Sequence, residues 1–219
     1  IPHMNKKSNS KQAAEILRVL KRLFPRAKMA LQYRTPWECM VAVQLSAQCT
    51  DKKVNEVTKA LFRKYRTLDD YIRARPSVFE RDIFQTGFYR NKTKNILAAA
   101  KIVKTKFGGK LPRTMGEMLT LPGVARKTAN VVLGAVYGVV EGIAVDTHVL
   151  RLARQWGLSA GKNPTEVERD LMKLFPKREW PALTYRIIEY GRRYSPAKKK
   201  DHSDEPLARF FVQKTKPRE

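Results

Sequence analysis

Lys127 and Asp146 are the residues of this 219-residue chain whose types and surroundings best suit covalent chemistry. Lys127 lies in the stretch LTLPGVARKTANVV, residues 119–132. A short helix ends there in the Pro122-Gly123 turn, and a second helix starts at about Ala125 with its first N–H groups free. Such a terminus attracts an anion, because the orphan amides and the positive end of the helix dipole both point outward. An ordinary helical corner would use the same Pro-Gly pair, but the adjoining Arg126 and Lys127 favour a binding role. For Lys127 itself two readings stay open. In a first turn the dipole opposes positive charge and favours the neutral amine, a nucleophile that can attack a sugar carbon or a carbonyl and form a Schiff base. The other reading is a simple contact to a phosphate. Nineteen residues on, IAVDTHVLR (143–151) places Asp146 between a short apolar run and a new helix. Asp146 reads either as the N-cap of that helix or as an acid facing the same cleft as Lys127.

The anion is identified by charge. Lys and Arg number 45 against 20 Asp and Glu, a formal net charge of +25. Nucleic acid phosphates, an anionic membrane and acidic proteins are the available counter-charges. The basic residues run through the whole chain, as in Arg18, Lys21, Arg22, Arg26 and Lys28, then Arg90, Lys92 and Lys94, then Arg192, Arg193 and Lys198 to Lys200. A membrane-surface protein would gather them on one amphipathic stretch, so DNA is the expected partner. No apolar run is long enough to span a bilayer and no secretory signal opens the chain. An intracellular protein is expected. Cys39 and Cys49 are the only cysteines, too few for a disulfide framework and without a metal-site pattern. Residues 1–4 read as an expression remnant before a start at Met4.

The elements that must position these residues are helical. Apolar residues recur at helical spacing in Ile16, Leu17, Leu20, Leu23 and Phe24, again in Val54, Val57, Leu61 and Tyr65, and again in Ile96, Ala99, Val103 and Phe107 and in Val167, Leu171, Leu174 and Phe175. Thr35-Pro36-Trp37-Glu38 and Asn163-Pro164-Thr165-Glu166 each set a capping side chain before a first-turn proline, with Glu three residues after the cap. Glycines at 87, 108–109, 138 and 157 mark stops. With 42% apolar residues the chain can bury a core, and an all-α protein of about ten helices is predicted. From about Ser195 the tail reads as loosely ordered, before a short final helix containing Leu207, Phe210 and Phe211.

The hairpin sequence followed by Val145-Asp146-Thr147-His148-Val149 resembles the helix-hairpin-helix DNA glycosylases of the endonuclease III family. QLSAQCTD (44–51), GFYRNKTKNI (87–96) and GKN (161–163) are similar to further family landmarks in the same order, so the likeness covers roughly residues 12–194. It implies two helical domains flanking a DNA-binding cleft. Residues 29–139 would form a six-helix domain ending in the hairpin, and 1–28 with 140–219 a second helical domain. It also implies a bifunctional glycosylase and AP lyase acting on oxidised pyrimidines in duplex DNA, with Lys127 as nucleophile and Asp146 as essential carboxylate. Gln48, Phe88 and His148 match positions that fill the space of an extruded nucleotide or support the site; Phe88 stands where a leucine wedge is common. Pro122, Gly123, Val124, Ala125, Arg126 and Thr128 would line the phosphate site of the hairpin. The expected partner is double-stranded DNA carrying a damaged base or an abasic site, and the expected setting a monomer in prokaryotic cytoplasm or nucleoid.

Two departures qualify the likeness. Many family members hold a [4Fe–4S] cluster on four cysteines in a C-terminal loop, whereas residues 191–206 contain none, so a member without the cluster and without any other metal or cofactor is expected. Ala125 replaces a usual glycine, which would add strain of about 1 kcal/mol if its φ were positive, and weaken DNA binding. Two other functions fit the same residues in part. A monofunctional mismatch or alkylation glycosylase would not need Lys127, and a non-catalytic DNA-binding protein would need neither Lys127 nor Asp146 as chemical groups.

Overall fold

The computed structural model describes residues 6–211, with side chains from Asn9; the stretch 1–4 lies outside the described residues. Among the described residues every regular element is helical, as the apolar spacing predicts. The α-helices are α1 (Lys6–Leu23), α2 (Pro36–Leu45), α3 (Asp51–Lys64), α4 (Leu68–Ile72), α5 (Pro76–Ile83), α6 (Tyr89–Lys106), α7 (Met115–Met118), α8 (Arg126–Tyr137), α9 (Thr147–Gln155), α10 (Pro164–Leu174) and α11 (Trp180–Arg193). Three 3-10 turns add Phe84–Thr86, Lys177–Glu179 and Ala208–Phe210. α4 is too short for apolar periodicity to reveal; a capping box between Thr67 and Asp70 starts it instead. The helices gather into two compact units, one of the chain through Lys28 together with the chain from Gly142, the other of Met29–Glu141.

In the Met29–Glu141 unit α2 is the central rod. Residues Glu38 to Leu45 are all buried, so the helix presents no polar face and must be enclosed on every side. α3, α6 and α8 pack against it. Its start follows the sequence signal: Thr35 Oγ1 accepts from Glu38 N at 3.1 Å, and the Glu38 carboxylate accepts from Arg34 N at 2.7 Å. Such caps contribute about 1 kcal/mol each, whereas a fully buried Leu or Phe contributes about 1.5–3 kcal/mol. Packing therefore decides where α2 sits and the caps decide where it begins. An aromatic cluster fills the far side of the unit, with Tyr65 edge-on to Phe79 at 5.1 Å and Trp37 edge-on to Tyr71 at 5.3 Å.

In the other unit α9 packs on α10 and α11, and α1 lies against α10 and α11. Glu179 ties α1 to α11. One carboxylate oxygen accepts from Lys21 Nζ at 2.8 Å and the other from Arg186 Nη1 at 2.9 Å, and these partners, Lys21 first, hold its pKa below the usual glutamate value.

The segment after α11 differs from the loose tail expected of it. Ser195, Glu205 and Leu207 are buried, and a polar network runs through them. Glu205 accepts from Tyr190 Oη at 3.0 Å and lies 2.6 Å from His202 Nδ1, whose ring stacks on Phe211 at 4.4 Å. Arg151 donates to the Ser195 carbonyl, and the Leu207 amide donates to Tyr190 Oη at 3.1 Å. Charge and polarity mislead here because the polar groups satisfy one another inside the fold. The final helix shrinks to the single turn Ala208–Phe210. Glu205→Ala should leave Tyr190 Oη without its acceptor, costing about 1–3 kcal/mol, and open the segment 195–211 to proteolysis. An unchanged melting temperature and digestion pattern would count against this role for the network.

Candidate active site

The candidate residues divide between the units, with Gln48, Phe88 and Lys127 in Met29–Glu141 and Asp146 and His148 in the other. In Met29–Glu141, Thr114 caps α7 by accepting from Glu117 N at 3.3 Å, and the chain leaves the helix through a tight turn in which Val124 N donates to Leu121 O at 3.1 Å. Gly123 takes φ +73°, and a Cβ there would lie 2.9 Å from the Asn95 side chain on α6. The turn thus needs glycine twice over, for its left-handed backbone and for the close approach of α6. Gln44, buried on α2, donates from Nε2 to the Pro122 carbonyl at 2.9 Å. Val124 is buried and anchors the loop, while Gly123 and Ala125 are exposed.

Ala125 is the N-cap of α8, with φ −90° and ψ 170°. This backbone is extended, so the strain foreseen for a positive φ does not arise; the left-handed position is Gly123, two residues earlier. Alanine at this cap has a different consequence. It offers no side-chain oxygen to the first turn, and that turn holds no acidic residue either. The terminus keeps its attraction for an external anion. Arg126, Lys127 and Thr128 form its first turn, all half-buried, with Lys127 as the second helical residue.

Two further candidates of this unit share an unusual backbone. Gln48 (φ +53°) and Phe88 (φ +48°) are the non-glycine residues with positive φ among the described residues. Both are exposed, Phe88 at 62%. Left-handed non-glycine residues cost of order 1 kcal/mol and persist where the surrounding structure imposes them, commonly at functional sites. Phe84, 60% exposed and 4.9 Å from the Tyr89 ring, extends the apolar surface beside Phe88. Lys92 departs from its sequence reading. The sequence counted it only among the basic residues spread along the chain, yet it is buried and donates to two backbone carbonyls.

In the other unit Asp146 caps α9, accepting from Val149 N at 2.8 Å through Oδ1. The capping alternative left open by the sequence is therefore realised, and it employs one of the two carboxylate oxygens. His148, the second residue of α9, is half-buried, its Nδ1 enclosed without a hydrogen-bond partner. Gly191 of α11 makes room for the ring, since a Cβ there would overlap the imidazole. Burial lowers the His148 pKa; Asp146 opposes this, and Arg151 and Arg192 add to it. Gln44, Asn95, Lys92 and Gly191 are the supporting residues that the sequence did not assign. Their signal is tertiary, a partner far along the chain in each case.

Known proteins share the family and the fold of this chain. Residues 41–177 match the model of the HhH-GPD superfamily of base excision DNA repair proteins. The chain is 47% identical over 192 residues to Endonuclease III of Synechocystis sp., covering 88% of each protein. It also matches the structure of a non-covalent Endonuclease III–DNA complex with a TM-score of 0.88 and 42% identity, over 92% of this chain and 94% of that one. A trapped Endonuclease III–DNA covalent intermediate aligns with the same TM-score and identity, over 92% and 95%.

Two outcomes are expected. Ala125→Asp should cap α8, stabilise the protein by about 0.5–2 kcal/mol and weaken DNA binding at every salt concentration, because the new carboxylate takes the place of a phosphate. Unchanged DNA affinity in a stabilised variant would remove the hairpin terminus from the interface. For His148 the folded pKa lies below the ordinary 6.5. Between the folded value and 6.5 the unfolded chain binds more protons, so stability rises with pH across that window and levels off above it. Urea unfolding between about pH 5 and 7 should show a smaller slope against pH for His148→Gln, and equal slopes would contradict the burial effect. By the match of its family model and by its likeness to Endonuclease III over most of its length, the chain belongs to the endonuclease III family of HhH-GPD base excision DNA repair proteins.

Proposed function

We propose that Lys127 and Asp146 divide the chemistry of this base excision repair enzyme, a DNA glycosylase with AP lyase activity, and that oxidised pyrimidines in duplex DNA are its substrates. One observation carries the reading: Lys127 stands in the first turn of a helix whose N-cap has no side chain to occupy the amides. A backbone phosphate held there brings the adjacent sugar to the amine. A base inside a duplex is unreachable, so the damaged nucleotide must be flipped out, at lower cost when it already stacks poorly. Gln48 and Phe88, exposed on left-handed backbone, fill the space it leaves. Pro122, Gly123, Val124, Ala125, Arg126 and Thr128 form the phosphate site, and His148 supports the α9 side.

In the reaction the unprotonated Lys127 Nζ bonds to C1′ as the C1′–N glycosidic bond breaks and its electron pair leaves with the base. Asp146, one oxygen engaged in its cap, stabilises the positive charge that develops on the sugar. Loss of a proton from the nitrogen and opening of the ring leave an imine. The imine acidifies the C2′ proton; its removal and departure of the 3′ phosphate cut the strand, and water releases the enzyme.

The [4Fe–4S] cluster of many relatives does not fit this chain. Such a cluster needs four thiolates. The chain has two cysteines, Cys39 and Cys49, both in the Met29–Glu141 unit, whereas the segment after α11 is packed around Glu205, His202 and Phe211. We read the enzyme as a cluster-less member that needs no cofactor. Among the described residues no helix is long and apolar enough to cross a membrane. A monomer working on DNA in bacterial cytoplasm or nucleoid is the setting we propose, from the bacterial source of the relatives.

Borohydride trapping tests the assignment. Wild-type protein should form a covalent adduct with a duplex carrying thymine glycol and with an abasic-site duplex, and Lys127→Ala should form neither while still binding both. Asp146→Asn should lower base release about 10²–10³-fold with near-normal folding. Binding without any adduct in the wild type would point to a monofunctional glycosylase or a DNA-binding protein, and a collapse of stability in Asp146→Asn would reduce the carboxylate to its cap.

A further inference from the structure

Lys92 is a buried ammonium for which the chemistry above has no use. It is 7% exposed, in the first turn of α6. An ammonium in such a place is costly unless its donors are matched, and an apolar side chain would fill the volume more cheaply. Its Nζ donates at 2.8 Å to the Leu45 carbonyl and at 2.8 Å to the Thr86 carbonyl. Leu45 is the last residue of α2, and Thr86 the last of the 3-10 turn Phe84–Thr86. Both carbonyls belong to helix ends, which lack intrahelical donors and carry partial negative charge.

The residues just beyond each carbonyl give the contact its meaning. Three residues after Leu45 comes Gln48, and two after Thr86 comes Phe88, the left-handed non-glycine residues. The other hydrogen bonds of these loops are mostly local: Cys49 N donates to Ser46 O at 3.1 Å, Ser46 Oγ to Val43 O at 2.8 Å, Gly87 N to Phe84 O at 3.2 Å and Thr86 Oγ1 to Ile83 O at 2.8 Å, while at the surface Lys53 Nζ reaches Gln85 at 3.3 Å. Lys92 is the buried strut between them. Burial lowers its pKa and the nearby Cys49 works in the opposite direction.

We infer that Lys92 is a positioning residue for base extrusion, its ammonium fixing the spacing of the loops that carry Gln48 and Phe88. The inference rests on the reading that these two side chains fill the space of the flipped nucleotide. A single-stranded abasic site has no such space, so attack by Lys127 there does not depend on the strut.

The test compares Lys92→Met, which keeps the stem and loses the donors, with Lys92→Arg, which keeps cation and donors. Single-turnover base release is followed on a thymine glycol duplex with 2-aminopurine opposite the lesion, and borohydride trapping on a single-stranded abasic oligonucleotide. Lys92→Met should slow duplex base release about 10–100-fold and diminish the 2-aminopurine signal, with single-strand trapping within about threefold of wild type. Lys92→Arg should lie between Lys92→Met and wild type on the duplex. Wild-type duplex rates in Lys92→Met, an equal loss on both substrates, or an Arg variant no better than Met would each overturn the inference. Gln48→Ala and Phe88→Ala separate its failure from that of the underlying reading. If neither slows the duplex reaction, the gap-filling roles fall and the inference with them; if both do and Lys92→Met does not, only the role of Lys92 falls.

Discussion

The close approach of the hairpin turn to α6 at Gly123 sets where α8 begins and so where Lys127 stands in the Met29–Glu141 unit. A left-handed backbone at φ +73°, with the Asn95 side chain 2.9 Å from where a Cβ would stand, favours glycine twice over. That turn, tied at Pro122 to Gln44 of the buried helix α2, fixes where α8 begins. The start of α8 in turn determines that Lys127 sits in its first turn. A shift of one residue would rotate the side chain by about 100° around the helix and turn the amine away from any phosphate at the terminus.

The same unit shows how an enzyme of this kind divides stability from function. Its stability comes from α2, enclosed on all sides, and from the aromatic cluster around Tyr71 and Phe79. Its surface features run against local preference: an N-cap without a capping side chain, two non-glycine residues with positive φ, and two phenylalanines more than half exposed. Each costs a little free energy, and each exposes a group suited to DNA, be it an amide for a phosphate or a ring for a base. Such local inconsistencies persist because the core over-determines the backbone beneath them.

The segment after α11 shows how a charged loop can be closed by polar contacts. A charged segment without thiolates could have stayed loose, yet it is held by the buried carboxylate of Glu205 and by the stacking of His202 on Phe211. Hydrogen bonds inside the protein, where water does not compete, bind the loop to α9 through Arg151 and to α11 through Tyr190. Arg151 belongs to this network and also feels the charge of Asp146, so the polar closure of the loop reaches the start of α9.

Local chemistry along the chain was sufficient for the helices and their caps, because apolar period, Thr35, Asn163 and the first-turn prolines act over four or five residues. It also located the Pro-Gly turn that leads into α8 and the cap at Asp146, while leaving Lys127 open between a nucleophile and a phosphate contact. Tertiary structure decided the rest. Lys92 looked like one more surface cation until two carbonyls, one of them 47 residues away, enclosed its ammonium. Ala125 looked strained until the turn placed the positive φ at Gly123 instead. His148 owes its lowered pKa to the space beside Gly191, and Glu205 owes its burial to Tyr190 and His202. In each case the deciding partner is brought near by packing, and packing depends on the whole set of buried surfaces rather than on any neighbouring residue.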